Sequence, residues 1–225
     1  GYDDFLIGAE GNDYGGGGNA GQTYLILGKA SGWAMDTDLS AADASFMGEN
    51  GDDQSGTVSG AGDVNGDGYD DFIIGAVGDD DGGNMAGQTY LILGKASGWA
   101  MDADLSDADA SFIGEGSDDY SGLAVSGAGD VNGDGYDDFL IGAEGNDDGG
   151  NNAGQAYLIL GKASGWAMDT DLADADASFW GEDATDTAGV AVSGVGDVNG
   201  DGYDDFIIGA NCDDDGGDNA GQTYL

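Results

Sequence analysis

Histidine, arginine and proline are absent from these 225 residues, cysteine occurs once and lysine three times. Without histidine or arginine, Ser–His and Cys–His nucleophilic arrangements are excluded. Carboxylate pairs are abundant, but each recurs along the chain, whereas an active site is a single constellation. The chain therefore reads as a non-enzyme. Three lysines face 46 acidic side chains, a net charge of −43. That excludes a nucleic-acid partner, which needs a basic face to displace counterions, and argues against direct association with anionic membranes. No apolar run approaches the length of a membrane span. The lone Cys212 allows no intramolecular disulfide and stands where Gly78 and Gly145 stand in related stretches, which reads as drift in a loop. Lack of proline leaves the turns to glycine, of which there are 48, and to Asn and Asp.

What the chain does have is one stretch, residues 63–76, that recurs at 130–143 and 197–210 and whose second half opens the chain at 1–9. Oxygen-bearing side chains hold its first, third, fifth and ninth positions, with glycine at the sixth. In this pattern Asp63, Asn65, Asp67 and Asp71 offer side-chain oxygens and Tyr69 its backbone carbonyl, while Gly68 allows the turn that gathers them around Ca2+. The second loop offers Asp130, Asn132, Asp134, Tyr136 and Asp138, and the third Asp197, Asn199, Asp201, Tyr203 and Asp205. Of the first copy only Tyr2 and Asp4 are present. An EF-hand needs a carboxylate at position twelve and a helix beyond it. Here Ile74, Ile141 and Ile208 occupy that position, inside short apolar runs that read as buried strands. One calcium ion is expected per complete loop. Three loops of three aspartates bring nine negative charges, and three calcium ions return six. The remaining acid implies further cation binding or a salty medium, and self-repulsion in the cation-free protein.

Gly1, Gly68, Gly135 and Gly202 are equivalent and 67 residues apart. The chain thus reads as one repeat array, 1–67, 68–134 and 135–201, with a partial fourth repeat at 202–225. Periods of this size mean propellers, solenoids or arrays. Each period holds four short strands, in the second repeat 72–76, 88–93, 110–114 and 123–127, with at most a turn or two of helix at 101–108. Four strands joined by turns describe an all-β propeller blade. Small length differences fall in the acidic loop at 11–21 and in the segment 48–60, as expected of surface turns.

Loop and strand together, from Gly62 through Gly75-Ala76, resemble the FG-GAP repeat of integrin α-subunit β-propellers and related bacterial surface proteins. The name motif is half kept: Ser55-Gly56, Ser121-Gly122 and Ala188-Gly189 replace Phe-Gly, and Gly-Ala is followed by Val77, Glu144 and Asn211 instead of proline. The resemblance implies calcium-stabilised blades in an extracellular or cell-surface protein, with the loop lying between the strands of consecutive blades. It implies either adhesion or the building of a cell-surface structure. A seven-blade ring of such repeats needs about 469 residues, so this length does not close alone; the chain reads as a window on a longer protein or as a unit that associates with itself. Two readings follow. One is a calcium-stabilised structural repeat forming a fibre, stalk or filament, favoured by near-identical copies and by head-to-tail contacts that do not close. The other is a closed binding module whose loops recognise a protein or glycan ligand.

Trp33, Trp99 and Trp166 each follow Ala-Ser-Gly and read as packing between blades, and Trp180, at the position of Met47 and Ile113, as a core or inter-blade filler. Lys29, Lys95 and Lys162 read as counter-charges to nearby aspartates, and the four loop tyrosines as covers for the calcium loops. The other acidic clusters, Asp79-Asp80-Asp81, Asp147-Asp148, Asp52-Asp53 and Asp118-Asp119, read as solvated turns.

Overall fold

The computed structural model describes residues 1–13 and 17–225. The length difference expected at 11–21 falls partly on 14–16, outside the described residues. Among the described residues, sixteen strands form four antiparallel-centred sheets. The first contains β1 (Phe5–Ala9), β2 (Gln22–Ile26) and β3 (Ala44–Met47). The second contains β4 (Ser55–Gly62), β5 (Asp71–Ala76), β6 (Gln88–Ile92) and, beyond the two-residue β7 (Ala103–Asp104), β8 (Ala110–Ile113). The third contains β9 (Ala124–Gly129), β10 (Asp138–Ala143), β11 (Gln155–Ile159) and, beyond β12 (Thr170–Asp171), β13 (Ala177–Trp180). The fourth contains β14 (Ala188–Gly196), β15 (Asp205–Ala210) and β16 (Gln222–Tyr224). The sheets have the form of propeller blades. Four of the strands expected in the second repeat appear at their places, and the helical segment reduces to a single 3-10 turn, Leu105–Asp107, capped by the Asp104 carboxylate.

Two features differ from the expectation. The loop 63–70 joins β4 to β5, which pair antiparallel within one sheet, so it is a hairpin connection inside a blade. The reason is the Gly-rich run before it: Ser55–Gly62 pairs with Asp71–Ala76 through two register shifts, and so belongs with the strand that follows. The second feature is that β7 and β12 leave their own blades. Phe46 pairs in parallel with Ala103 and Met47 with Asp104, and Phe112 pairs in parallel with Thr170 and Ile113 with Asp171. Each connector thus adds an outer strand to the preceding sheet.

The core lies between the sheets. Phe46, Leu25, Phe72, Ile74 and Tyr90 form one junction and Ile73, Phe112, Phe139, Ile141 and Tyr157 the next. All six residues of β5 and of β10 are buried, as expected of inner strands covered on both faces. Trp99 stands against both Phe46 and Phe72, at centroid distances of 6.3 and 6.1 Å, and Trp166 against Phe112 and Phe139 at 6.4 and 6.3 Å. Among the described aromatic rings Trp33 stands against that of Phe5, at 6.0 Å, and it is 53% exposed. Trp180 is 61% exposed rather than a core or inter-blade filler; it lies on β13, whose outer edge carries no counterpart of β7 or β12 among the described residues. No helix among the described residues is long and apolar enough to cross a membrane.

Candidate metal centre

Each acidic loop is a tight turn held by its own aspartates. Asp63 accepts hydrogen bonds from the N–H groups of Asp67 (3.0 Å) and Gly68 (2.9 Å), Asn65 Oδ1 from Asp67 N–H (2.8 Å), and Asp67 Oδ1 from Tyr69 N–H (3.0 Å). Gly66 and Gly68 lie at φ +73° and +90°, in the left-handed region that favours glycine. At position nine, buried Asp71 accepts from Val64 N–H (2.9 Å) and from Gly94 N–H (2.6 Å). The second loop repeats this pattern: Asp130 accepts from Gly133, Asp134 and Gly135, Asn132 from Asp134, Asp134 from Tyr136, and Asp138 from Val131 and Gly161. In the third, Asp197 accepts from Gly200, Asp201 and Gly202, Asn199 from Asp201, Asp201 from Tyr203, and Asp205 from Val198. Asp4 holds Gly28 N–H at 2.7 Å, as Asp71 holds Gly94, while Tyr2 is exposed.

Burial pushes the Asp71 carboxyl up to about 6, opposed by the Gly94 and Val64 N–H groups and helped by the Asp67 and Asp63 charges. Asp138 rises to about 6 for the same reasons, with Asp134 and Asp130 as the neighbouring charges. Asp197, fully solvated, is lowered, first by the Gly202 N–H. Among the described residues no group of three or more acidic or cysteine side chains has the arrangement of a metal centre, since the loop carboxylates are turned onto backbone N–H groups. The donor set itself is of the right chemistry for a hard cation: carboxylates, one amide oxygen and a backbone carbonyl, with charges close enough to raise one another. Asp63, Asn65, Asp67, Asp71 and the Tyr69 carbonyl would hold the ion in the first loop, and the corresponding residues in the second and third.

The loops also touch one another, which position counting missed. Asp137, at position eight of the second loop, accepts from Asp63 N–H at 2.8 Å and donates its own N–H to the Asp63 carbonyl at 3.2 Å. Asp204 binds Asp130 in the same way, at 3.1 and 3.2 Å. The Tyr136 ring lies over Gly66 and the Tyr203 ring over Gly133, where a Cβ would meet ring carbons at 2.7 and 2.6 Å. Each ring thus covers the preceding loop, not its own. A hint was available in the sequence: Asp70, Asp137 and Asp204 are invariant beside Asp71, Asp138 and Asp205 yet have no place in the ligand pattern.

The lysines depart from expectation. The ammonium groups of Lys29, Lys95 and Lys162 stand 4.7, 4.6 and 4.5 Å from the ring centroids of Trp33, Trp99 and Trp166, four residues on in the same connector, so they act as cation–π partners. The other acidic clusters are not wholly solvated either. Asp53, Asp79, Asp119, Asp186 and Asp213 are buried, because the turns that carry them pack at the edge of the junction between sheets.

The FG-GAP repeat family matches this chain at residues 55–92 and 121–159, each match running from a first strand through the acidic loop to the third strand of one sheet. Integrin alpha-PS2 of Drosophila melanogaster is 34% identical over 158 residues, which covers 68% of this chain and 11% of that protein. The chain thus spans about a tenth of the length of the relative it matches. With loop, sheet and profile in agreement, this chain is an FG-GAP repeat protein.

Proposed function

We propose that this is a calcium-stabilised structural repeat protein of the cell surface or extracellular space, built to extend as a fibre, stalk or filament. The observation that carries it is the contact between loops: Asp137 on Asp63 and Asp204 on Asp130 join the candidate cation loops of successive blades. An ion bound in one loop then stiffens both that hairpin and the contact to the next. Binding to the folded state alone adds its free energy to stability. Modules of this kind outside cells typically bind calcium at about 10⁻⁴ to 10⁻³ M, which suits an extracellular setting. Further copies of the same repeat, in the same chain or another, are the partners this reading requires.

The likeness to an integrin α chain favours a second reading, a closed propeller that binds a protein or glycan ligand. Electron micrographs of native material in millimolar calcium separate the two. The structural reading expects extended assemblies that shorten when EGTA is added; discrete rings unaffected by protein concentration would overturn it in favour of the binding module. Residue roles are tested by Asp134→Ala against Asp147→Ala: the first should weaken calcium binding at least tenfold in one loop, the second leave it unchanged.

A further inference from the structure

Where the chain crosses from one sheet to the next, a small group of side chains is tied together by hydrogen bonds, and two of these groups differ by one substitution. On the crossing from the second sheet to the third, Asn146 Oδ1 accepts from Asp148 N–H at 2.9 Å. The Asn146 amide Nδ2 donates to Asp119 Oδ2 and to the Tyr157 hydroxyl oxygen, both at 3.2 Å. The Tyr157 hydroxyl in turn donates to Glu115 at 2.8 Å, and Gly116 N–H gives Asp119 a further bond at 2.9 Å. Every carboxylate in this group faces a hydrogen.

On the crossing from the first sheet to the second, Asp79 stands where Asn146 stands, and Asp53 and Glu49 stand where Asp119 and Glu115 stand. Asp79 Oδ1 accepts from Asp81 N–H at 2.9 Å, as Asn146 accepts from Asp148, so Asp79 Oδ2 takes the place of the amide nitrogen. The Tyr90 hydroxyl reaches that oxygen at 3.4 Å and is also bonded to Glu49. Asp53 keeps its bond from Asn50 N–H at 2.7 Å. Asp53 and Asp79 are 4% and 1% exposed. With the amide gone, a buried carboxylate oxygen faces another, and the one phenol hydrogen is divided between Asp79 and Glu49. The charges acting on the pair come from Glu49, Asp80 and Asp81, and Asp104 acts on Glu49 in turn. The three lysines lie over tryptophan rings instead. Two carboxylates in such a place cannot both stay ionised without a donor between them.

We propose that Asp53 and Asp79 share one proton, making this crossing an acid-tightened clasp between the first two sheets, whereas the Asn146 amide does the same work at the next crossing without a proton. The proton rides on one carboxyl and is donated to the other, as the amide hydrogen is donated to Asp119. Burial pushes the Asp53 carboxyl up to about 7, against the Asn50 N–H and with the charges of Asp79, Glu49 and Asp81. Burial likewise pushes Asp79 up to about 6, against the Asp81 N–H. Both stand above the unfolded value of about 3.9. The clasp therefore contributes fully below about pH 4, and its contribution is lost as pH rises through 6 to 7. At the crossing to the fourth sheet Asp186 and Asp213 make the corresponding pair, but with Glu182 they line a cavity of about 90 Å³, where water has room to donate in place of a proton.

Infrared difference spectra of the full chain in EGTA read the proton directly, because a protonated carboxyl has a carbonyl stretch that a carboxylate lacks. At about pH 6, Asp79→Asn should lose about one protonated carboxyl relative to wild type. Asn146→Asp should gain about one, a result that misfolding cannot mimic, since unfolding ionises aspartates. The melting temperature should follow: its fall as pH rises through 6 to 7 is flattened in Asp79→Asn and steepened in Asn146→Asp. Asp79→Asn copies an arrangement the chain already folds around, so it decides the matter even if Asn146→Asp does not fold. A carboxyl signal unchanged by Asp79→Asn, or a folded Asn146→Asp chain with no added signal, would overturn the shared proton.

Discussion

A methyl group on Gly75 would overlap the Gly122 carbonyl oxygen, and one on Gly142 the Gly189 carbonyl oxygen, so these residues measure how closely successive sheets approach. Gly75→Ala should destabilise the chain by about 3 kcal/mol, since backbone must move to admit it. Gly135→Ala has open space and only its φ of +91° to overcome, and should cost about 1 kcal/mol; urea unfolding of the two variants checks the order. Asp119 gives a pH prediction. Burial pushes its carboxyl up to about 6, against the Gly116 N–H and the Asn146 amide, with Glu115 and Asp148 adding repulsion. The folded state keeps this proton to higher pH than the unfolded chain does, so its contribution is full below about pH 4 and is lost as pH rises towards 6. In EGTA, Asp119→Asn should therefore flatten the fall in stability across that window; an unchanged slope would count against the burial account. At this scale the turn itself was legible, because oxygen-bearing side chains and glycines at fixed spacing recur in each copy and each copy folds into the same aspartate-held turn. The role of Asp137 was not, because its partner Asp63 is 74 residues away. Nor was the burial of Asp53 and Asp79, since aspartate among glycines reads as a turn whether or not another sheet covers it.

At the scale of elements, the connector between the third and fourth strands of a blade does two things in the preceding junction. It lays Trp99 or Trp166 against a pair of phenylalanines from adjacent sheets, and it adds β7 or β12 to the earlier sheet's edge. Trp166→Ala should cost about 3 kcal/mol, whereas Trp33→Ala, with one described aromatic neighbour and half its surface in water, should cost about 1 kcal/mol. Equal costs in denaturant titration would show that the junction packing is not the source. The inner strands were readable from runs such as Phe72 to Ile74, apolar and β-branched, closed by Gly75. The outer strands β7 and β12 were not, because two residues, Ala103-Asp104 or Thr170-Asp171, carry no periodicity. The hairpin character of the loop was obscured by the preceding strand, Ser55–Gly62, whose glycines and serines do not look like a strand.

For the whole molecule, a charge of −43 is the dominant fact. Blades are joined by aromatic packing, by short parallel strands and by loop-to-loop hydrogen bonds, and every one of these contacts is made amid uncompensated carboxylates. In the proposed reading, cations held in the loops would lower that repulsion where the blades meet and make blade cohesion and ion binding a single equilibrium. The measurement that tests this most directly is the thermal unfolding of the chain in 5 mM calcium and in EGTA, beside a variant carrying Asp67→Asn, Asp134→Asn and Asp201→Asn. Three sites of sub-millimolar affinity add about 4 kcal/mol, which for a chain of this size raises the melting temperature by about 10 °C. The account predicts that rise in the wild type and most of it lost in the variant; identical melting of the wild type with and without calcium would contradict it.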